Sequence, residues 1–291
     1  MGKNKQALRS IDAPWYRYWQ AMYMAFYSRK LYIDVYKRWQ GAGIVYLFLL
    51  ITVLTIPYSV NLVSGFNRYF DEDIIKPLSY LPLLYIQNGE VQFDKPMPYF
   101  IKNAHGDVVA LIDTTGQVDT IDNRYPHLVF LLSKNKLLFR APAFHSYLNL
   151  AEVLPEASVY TQEFSKEGNE VFSAKQWLES AHISSLKRLG EVLIYPFVLG
   201  TFFGAFIAPL VFMALLGQLF SLAVYKFKMQ LKDACRLLMV ASTPQMVLFF
   251  ACLTAQITLP IASFIYVAVL ASYFSYAVMM VRQDSKHLVH A

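Results

Sequence analysis

Cysteine is nearly absent from this chain: Cys235 and Cys252 are the only two in 291 residues. Residues 65–189 contain none, which excludes a disulfide framework there even if that segment faces an oxidising compartment. Charge is missing from three stretches, 43–64, 192–225 and 237–281. Roughly 20 apolar residues suffice to cross a bilayer as a helix, so each stretch is predicted to lie in a membrane. The cores of these stretches also lack histidine, which argues against an intramembrane proton or ion relay carried by this chain alone. The signatures HExxH, GxSxG, the P-loop and paired CxxC are missing as well. His105, His127, His145 and His182 are scattered without metal-ligand spacing. Asp113, Asp119 and Asp122 read as solvated turn acids, with a divalent-cation site as the alternative. The chain is therefore expected to be no enzyme and to carry no cofactor or metal, and a membrane-bound hydrolase ranks last among the readings.

What is present is a strongly asymmetric charge distribution. Residues 1–42 carry Lys3, Lys5, Arg9, Arg17, Arg29, Lys30, Lys37 and Arg38 against Asp12 and Asp34. Lys226, Lys228, Lys232 and Arg236 crowd a second short segment, and Arg282 and Lys286 follow the last apolar run. Basic flanks remain on the cytoplasmic side, so both termini and the 226–236 loop are placed inside. That requires an even number of crossings, and four fit. The first, 43–64, reads as an uncleaved signal anchor rather than a cleavable signal peptide. The others are expected at about 197–225, 237–259 and 260–281, with a tilted or interfacial entry broken near Pro196 and a kink at Pro244. A cytoplasmic tail follows over 282–291. Residues 65–189 hold twelve basic and fifteen acidic groups and form the extracytoplasmic domain. Because the basic residues hug the ends of apolar runs, nucleic acid is not an expected partner.

Residues 1–42 are read as a cytoplasmic, aromatic and basic interfacial segment. Trp15, Trp19, Met22 and Phe26 recur at helical spacing, and Trp39, Arg29 and Lys30 complete a set suited to headgroups and anionic lipid. Membrane lipids are thus the expected partners of this segment, with a protein-docking helix as the alternative. In the 65–189 domain, Asp107–Asp113 predicts a strand, Thr114-Thr115-Gly116 a turn, and Gln117–Ile121 a second strand. Leu128–Leu132 and Leu137–Arg140 predict a hairpin, with further mixed runs at 143–150 and 157–164. A helical period returns over 173–189. Gly200, Gly204 and Ala208 form a small-residue stripe, which Gly217 and Ser221 extend. Such stripes let helices approach closely; packing within this chain is the plainer reading, and a homodimer or membrane-protein seam is the functional one.

Three stretches carry a family resemblance. The first is Phe26-Tyr27-Ser28-Arg29-Lys30-Leu31-Tyr32 with Tyr46–Leu50 and Ile56-Pro57. The second is Leu81-Pro82, Ile86-Gln87-Asn88-Gly89-Glu90-Val91 and the strand ending Ile112-Asp113-Thr114-Thr115-Gly116. The third is Leu231-Lys232-Asp233-Ala234-Cys235-Arg236 continuing to Ser242-Thr243-Pro244. Together they resemble an uncharacterised family of bacterial integral membrane proteins that includes the maltodextrin-utilisation protein YvdJ, and the C-terminal bundle looks Yip-like. The resemblance implies an anchor span, an extracytoplasmic domain and a C-terminal helical bundle; it implies no activity and no catalytic residues. The expected fold is an α+β membrane protein with four transmembrane helices and a small β-rich extracytoplasmic domain between spans one and two. The expected role is accessory or regulatory in the bacterial inner membrane, with a subunit of a transporter or lipid-handling assembly as the alternative.

Overall fold

A computed structural model describes residues 13–140, 159–165, 169–173, 175–176 and 183–289, apart from 104 and 123. The expected run at 143–150, with His145 and His182, lies outside these residues. The chain divides into two compact units: Met1–Asn61 with Tyr195–Ala291, and Leu62–Ile194.

The first unit is helical. Short helices α1 (Tyr18–Met24) and α2 (Arg29–Lys37) precede α3 (Ile44–Tyr69), and the chain returns through α5 (Ile183–Tyr225), α6 (Leu231–Ala241), α7 (Thr243–Thr254) and α8 (Ala262–Val289). The aromatic lead is two helices rather than one continuous interfacial helix. The break follows from Ser28, whose hydroxyl accepts the Leu31 N–H at 3.3 Å and starts α2 afresh. The helix of the first apolar run continues past the expected end, to Tyr69.

No break occurs at Pro196: α5 runs unbroken for 43 residues with Pro196 and Pro209 inside it. Each proline removes one intrahelical bond, whereas ending the helix would expose four carbonyls and four amides in an apolar setting, a far larger cost. The bend expected at Pro244 falls at Ser242, where α6 and α7 meet at 42°. Half of the supposed 226–236 loop is already helix α6, and α8 extends through most of the expected tail. Three helices are long and apolar enough to cross a membrane, and the bent α6–α7 pair is a fourth if it counts as one span.

Aromatic interlocking holds this unit together. Phe202 and Phe206 of α5 meet Phe250 and Phe249 of α7 at centroid distances of 5.0 and 5.3 Å, and Phe48 of α3 meets Phe203 at 5.4 Å. Edge-to-face pairs of this kind add roughly 0.5–1.5 kcal/mol each beyond their area. Several polar atoms in the apolar interior are paired across helices: the Tyr46 and Thr243 hydroxyls lie 2.7 Å apart, the Tyr195 hydroxyl donates to the Thr52 carbonyl at 2.9 Å, and Asn61 donates to the Thr254 carbonyl at 3.1 Å.

The second unit is α+β. A wider π-type turn (Phe70–Ile75) and α4 (Lys76–Ser79) lead into strands β1 (Leu84–Gln87), β2 (Glu90–Gln92), β3 (Tyr99–Lys102), β4 (Val108–Asp113), β5 (Phe130–Ser133), β6 (Lys136–Arg140), β7 (Val159–Glu163) and β8 (Asn169–Phe172). They form a three-stranded sheet, β2-β1-β8, and a five-stranded sheet, β3-β4-β5-β6-β7. The expected hairpin is present: Leu132 faces Leu137 across a turn at Lys134-Asn135. Strand β4 pairs with β5 in parallel. Period-two alternation buries both faces of the larger sheet at its central strands β4 and β5: Ala110, Ile112, Phe130 and Leu132 lie on one side, Leu111 and Leu131 on the other. The strand expected at Gln117–Ile121 does not form. The Asp113 carboxylate takes the Thr115 N–H at 2.8 Å within the expected turn and the Val118 N–H at 2.6 Å within the expected strand, so the Val118 amide is committed to the turn instead of a ladder.

Candidate functional site at the N-terminal helices

The densest buried polar construction among the described residues surrounds α2 and the start of α6. Asp34 is 2% exposed and receives the backbone N–H groups of Trp15 and Tyr16 at 3.1 Å. Arg38, one helical turn along, lies 3.8 Å from the same carboxylate, and its guanidinium sits 3.7 Å over the Trp15 ring. The lead before α1 is thereby folded back on α2. Arg236 is 5% exposed and plays the matching part from α6. It donates to the carbonyls of Trp39, Tyr36 and Gly41, and its ion pair with Asp233 spans 2.8 Å. Gly43 explains why the chain can pass so close. Its φ is +84°, and a Cβ there would stand 3.1 Å from the Arg236 backbone. A further ion pair joins Lys37 of α2 to Asp284 of α8.

These charges fix a segment whose aromatics point away from the protein. Trp15, Trp19, Tyr23, Phe26 and Tyr27 are exposed large side chains, while Ala21 of α1 and Ala25, just past its end, are buried. Arg29 and Lys30 are also exposed. Trp39 is different: it is buried, with Tyr18 at 4.8 Å and Tyr46 at 5.7 Å between centroids, and it anchors the lead to α3 instead of facing outward. Burial raises the Tyr32 phenol above its ordinary pKa, with Tyr46, Tyr273 and Tyr276 adding to the shift, and its hydroxyl donates to the Ala25 carbonyl.

The small-residue stripe divides. Gly200, Gly204 and Ala208 are exposed, and a Cβ on either glycine would meet nothing within 4 Å. Gly217 is packed so tightly that a Cβ would stand 2.7 Å from Phe274 of α8. Helical periodicity accounts for the difference, since the nine-residue step from Ala208 to Gly217 turns the helix by roughly 180° net. Ser221 lies with Gly217 on the inward side and donates to the Phe227 carbonyl at 2.8 Å.

In the mixed unit, Asp113 and Asp122 are each committed to a local turn. Burial pushes the Asp113 carboxyl up, but hydrogen bonds from the Thr115 hydroxyl and from the amides of Val118, Thr115 and Gln117 outweigh it and hold it below the ordinary range. Asp122 is held low by the Arg124 amide and guanidinium. Among the described residues no group of three or more His, Cys, Asp or Glu is arranged to hold a metal. His105 and His127 are exposed and separate.

Asp34 and Arg236 are the residues that sequence reasoning underrated. Their signals were local: Asp34 with Arg38 at i,i+4 and Asp233 with Arg236 at i,i+3, both beside charge-free runs. A family model described as "Protein of unknown function (DUF1189)" matches residues 19–278, which include α2, the mixed unit and the Leu231–Arg236 segment. The chain belongs to the DUF1189 family. Among curated proteins, this DUF1189 chain is similar to "Uncharacterized protein RP489" of Rickettsia prowazekii (strain Madrid E), 26% identical over 148 residues, covering 45% of this chain and 51% of the relative. It thus spans about half the length of the curated relative it matches. No solved structure matches this DUF1189 chain.

Proposed function

We propose that the chain is a multi-pass protein of a bacterial inner membrane, of accessory or regulatory type, whose Leu62–Ile194 unit lies outside the cytoplasm and binds a partner or envelope component. The observation that carries the membrane part is the surface of α5. Its apolar window is only 17% buried, and Phe197, Phe212, Leu219 and Leu222 are all more than half exposed. An apolar face this large needs lipid or protein cover. The α6–α7 pair serves as the fourth crossing: from Leu231 to Thr254 it offers about 35 Å of helix against a hydrocarbon core of about 30 Å. Four crossings then agree with basic flanks on one side and an acidic domain on the other. What supports an independent role for the outer unit is its separate core, with two sheets and a net charge of opposite sign to the rest of the chain.

Crosslinking in intact cells, mild-detergent pull-down and mass spectrometry test this role. Capture of envelope proteins or cell-wall material through the Leu62–Ile194 unit is expected, with the capture lost when β4 is disrupted. Retention of the same catch by a chain lacking that unit would overturn the reading. A second reading, a subunit of a transporter or lipid-handling assembly, draws on the open Gly200, Gly204 and Ala208 face. Under it, a membrane protein is recovered in fixed ratio and Gly204→Leu releases it. Since that position is open in the isolated chain, the substitution leaves the fold intact.

A further inference from the structure

The larger sheet ends in two strands of opposite character. At one edge β3 is guarded: its register shifts between Ile101 and Lys102, and Pro96 and Pro98 lie just ahead of it. Bulges, lysines and prolines are the usual means of keeping an edge from pairing with another chain. At the other edge β7 carries none of these, and its register with β6 is regular. All five of its residues are exposed, so both of its faces are open as well as its edge. Val159, Tyr160 and Thr161 are moreover strong strand formers.

Hydrogen bonding fixes which backbone groups of β7 point outward. The Arg140 N–H donates to the Val129 carbonyl at 2.8 Å, on the β5 side, and the Phe164 N–H donates to the Asn135 carbonyl at 3.1 Å. In the β6–β7 register Arg140 faces Val159 and Lys136 faces Glu163. Backbone groups alternate sides along a strand, so Tyr160 and Gln162 bond to β6, and Val159, Thr161 and Glu163 turn their N–H and C=O away. Among the described residues nothing bonds to those outward groups. The outward set is self-complementary. Laid antiparallel against itself about Thr161, the strand sets Thr161 opposite Thr161 and Val159 opposite Glu163 in both directions. Every outward N–H and C=O then meets a partner, and Tyr160 stands opposite Gln162 in the pairs between. The one charged residue of β7 is no obstacle. The two Glu163 carboxylates fall at opposite ends, roughly 14 Å apart, beyond the ~8 Å screening length at physiological salt.

We propose that two copies of this chain join β7 to β7 in this register, making one sheet continuous across both. The inference rests on neither the membrane reading nor the partner given to the outer unit, and it concerns a surface other than the small-residue face of α5.

Cysteine crosslinking of the full chain in intact cells, in a Cys235→Ser, Cys252→Ser background, reads the register directly. Opposed Thr161 Cα atoms lie about 5.5 Å apart in such a pair, and Tyr160 and Gln162 about 4.5 Å, both within disulfide reach. Tyr160 of one copy is only diagonal to Tyr160 of the other, at about 7–8 Å, too far for a disulfide. Thr161→Cys is therefore expected to give a disulfide-linked homodimer. Tyr160→Cys is expected to link with co-expressed Gln162→Cys about tenfold more than with itself. Thr161→Pro removes an outward N–H that β6 does not use, so the chain's own sheet is kept while the two central bonds between copies are lost. It is expected to lower capture through the Tyr160→Cys and Gln162→Cys pair about tenfold. Equal crosslinking of Tyr160→Cys alone and of the mixed pair would overturn the proposal, as would undiminished capture with Thr161→Pro. So would Thr161→Cys linking to a different protein, or forming no dimer while its thiol still reacts with a maleimide.

Discussion

Replacing Arg236 by Met removes the guanidinium while keeping most of the buried volume. It strands the carbonyls of Tyr36 and Trp39, loosens the Gly41 turn, and leaves Asp233 without its partner at 2.8 Å. Deleting one member of a buried charge pair typically costs about 3–5 kcal/mol, and because the surviving Asp233 side chain is 23% exposed the loss here falls at the lower end of that range. Lysine restores charge but not the fork that serves several carbonyls and a carboxylate together, so Arg236→Lys is expected to recover only part of the loss. Asp233→Asn is milder still, since that side chain is 23% exposed and keeps an acceptor. Cys235, 6% exposed and adjacent to Arg236, provides the assay. In a Cys252→Ser background, maleimide labelling of Cys235 measures how often α6 opens. A loss of this size predicts labelling about a hundredfold faster or more in Arg236→Met when opening controls the rate, with Arg236→Lys between it and the parent. Labelling within twofold of the parent would refute the claim that Arg236 holds α6 to the N-terminal lead.

Asp113→Asn is expected to destabilise the mixed unit by about 1–3 kcal/mol, through weakened turn hydrogen bonds. Because the native carboxyl is held below its ordinary range, its stabilisation is present above about pH 4 and is lost as pH falls through the lower native value. Denaturant titrations at pH 7 and pH 3 should therefore show the mutant and parent converging in acid, and a gap that widens in acid would contradict this. Gly217→Ala is expected to cost about 1–3 kcal/mol by overpacking against Phe274. Gly204→Ala, on the open face, should leave thermal stability unchanged, so equal losses at the two glycines would show the assigned faces of α5 to be wrong.

Much of the plan was legible in one dimension. Charge-free runs announce long helices because a bilayer or an apolar core demands uninterrupted hydrogen-bonded backbone, and that demand is written in composition. The 130–140 hairpin was legible too, since alternation and a polar turn are local signals. The break at Ser28 was missed because Ser28 sits within a continuous aromatic pattern, and its capping bond outweighs that pattern. The Gln117–Ile121 strand failed because a single carboxylate, Asp113, captured the Val118 amide that a ladder needs.

The sequence by itself therefore determined where the apolar helices lie, that a water-type domain separates the first two, and that residues 65–189 fold without disulfides. These follow from period, composition and the scarcity of cysteine, all local or additive properties of the chain. Only the tertiary structure decided that Trp39 is buried while Trp15 and Trp19 are exposed, that Gly217 packs inward while Gly204 faces out, and that Arg236 reaches three carbonyls nearly 200 residues away in sequence. Those outcomes depend on which helix face meets which neighbour, and a one-dimensional pattern carries the period of a face but not its partner.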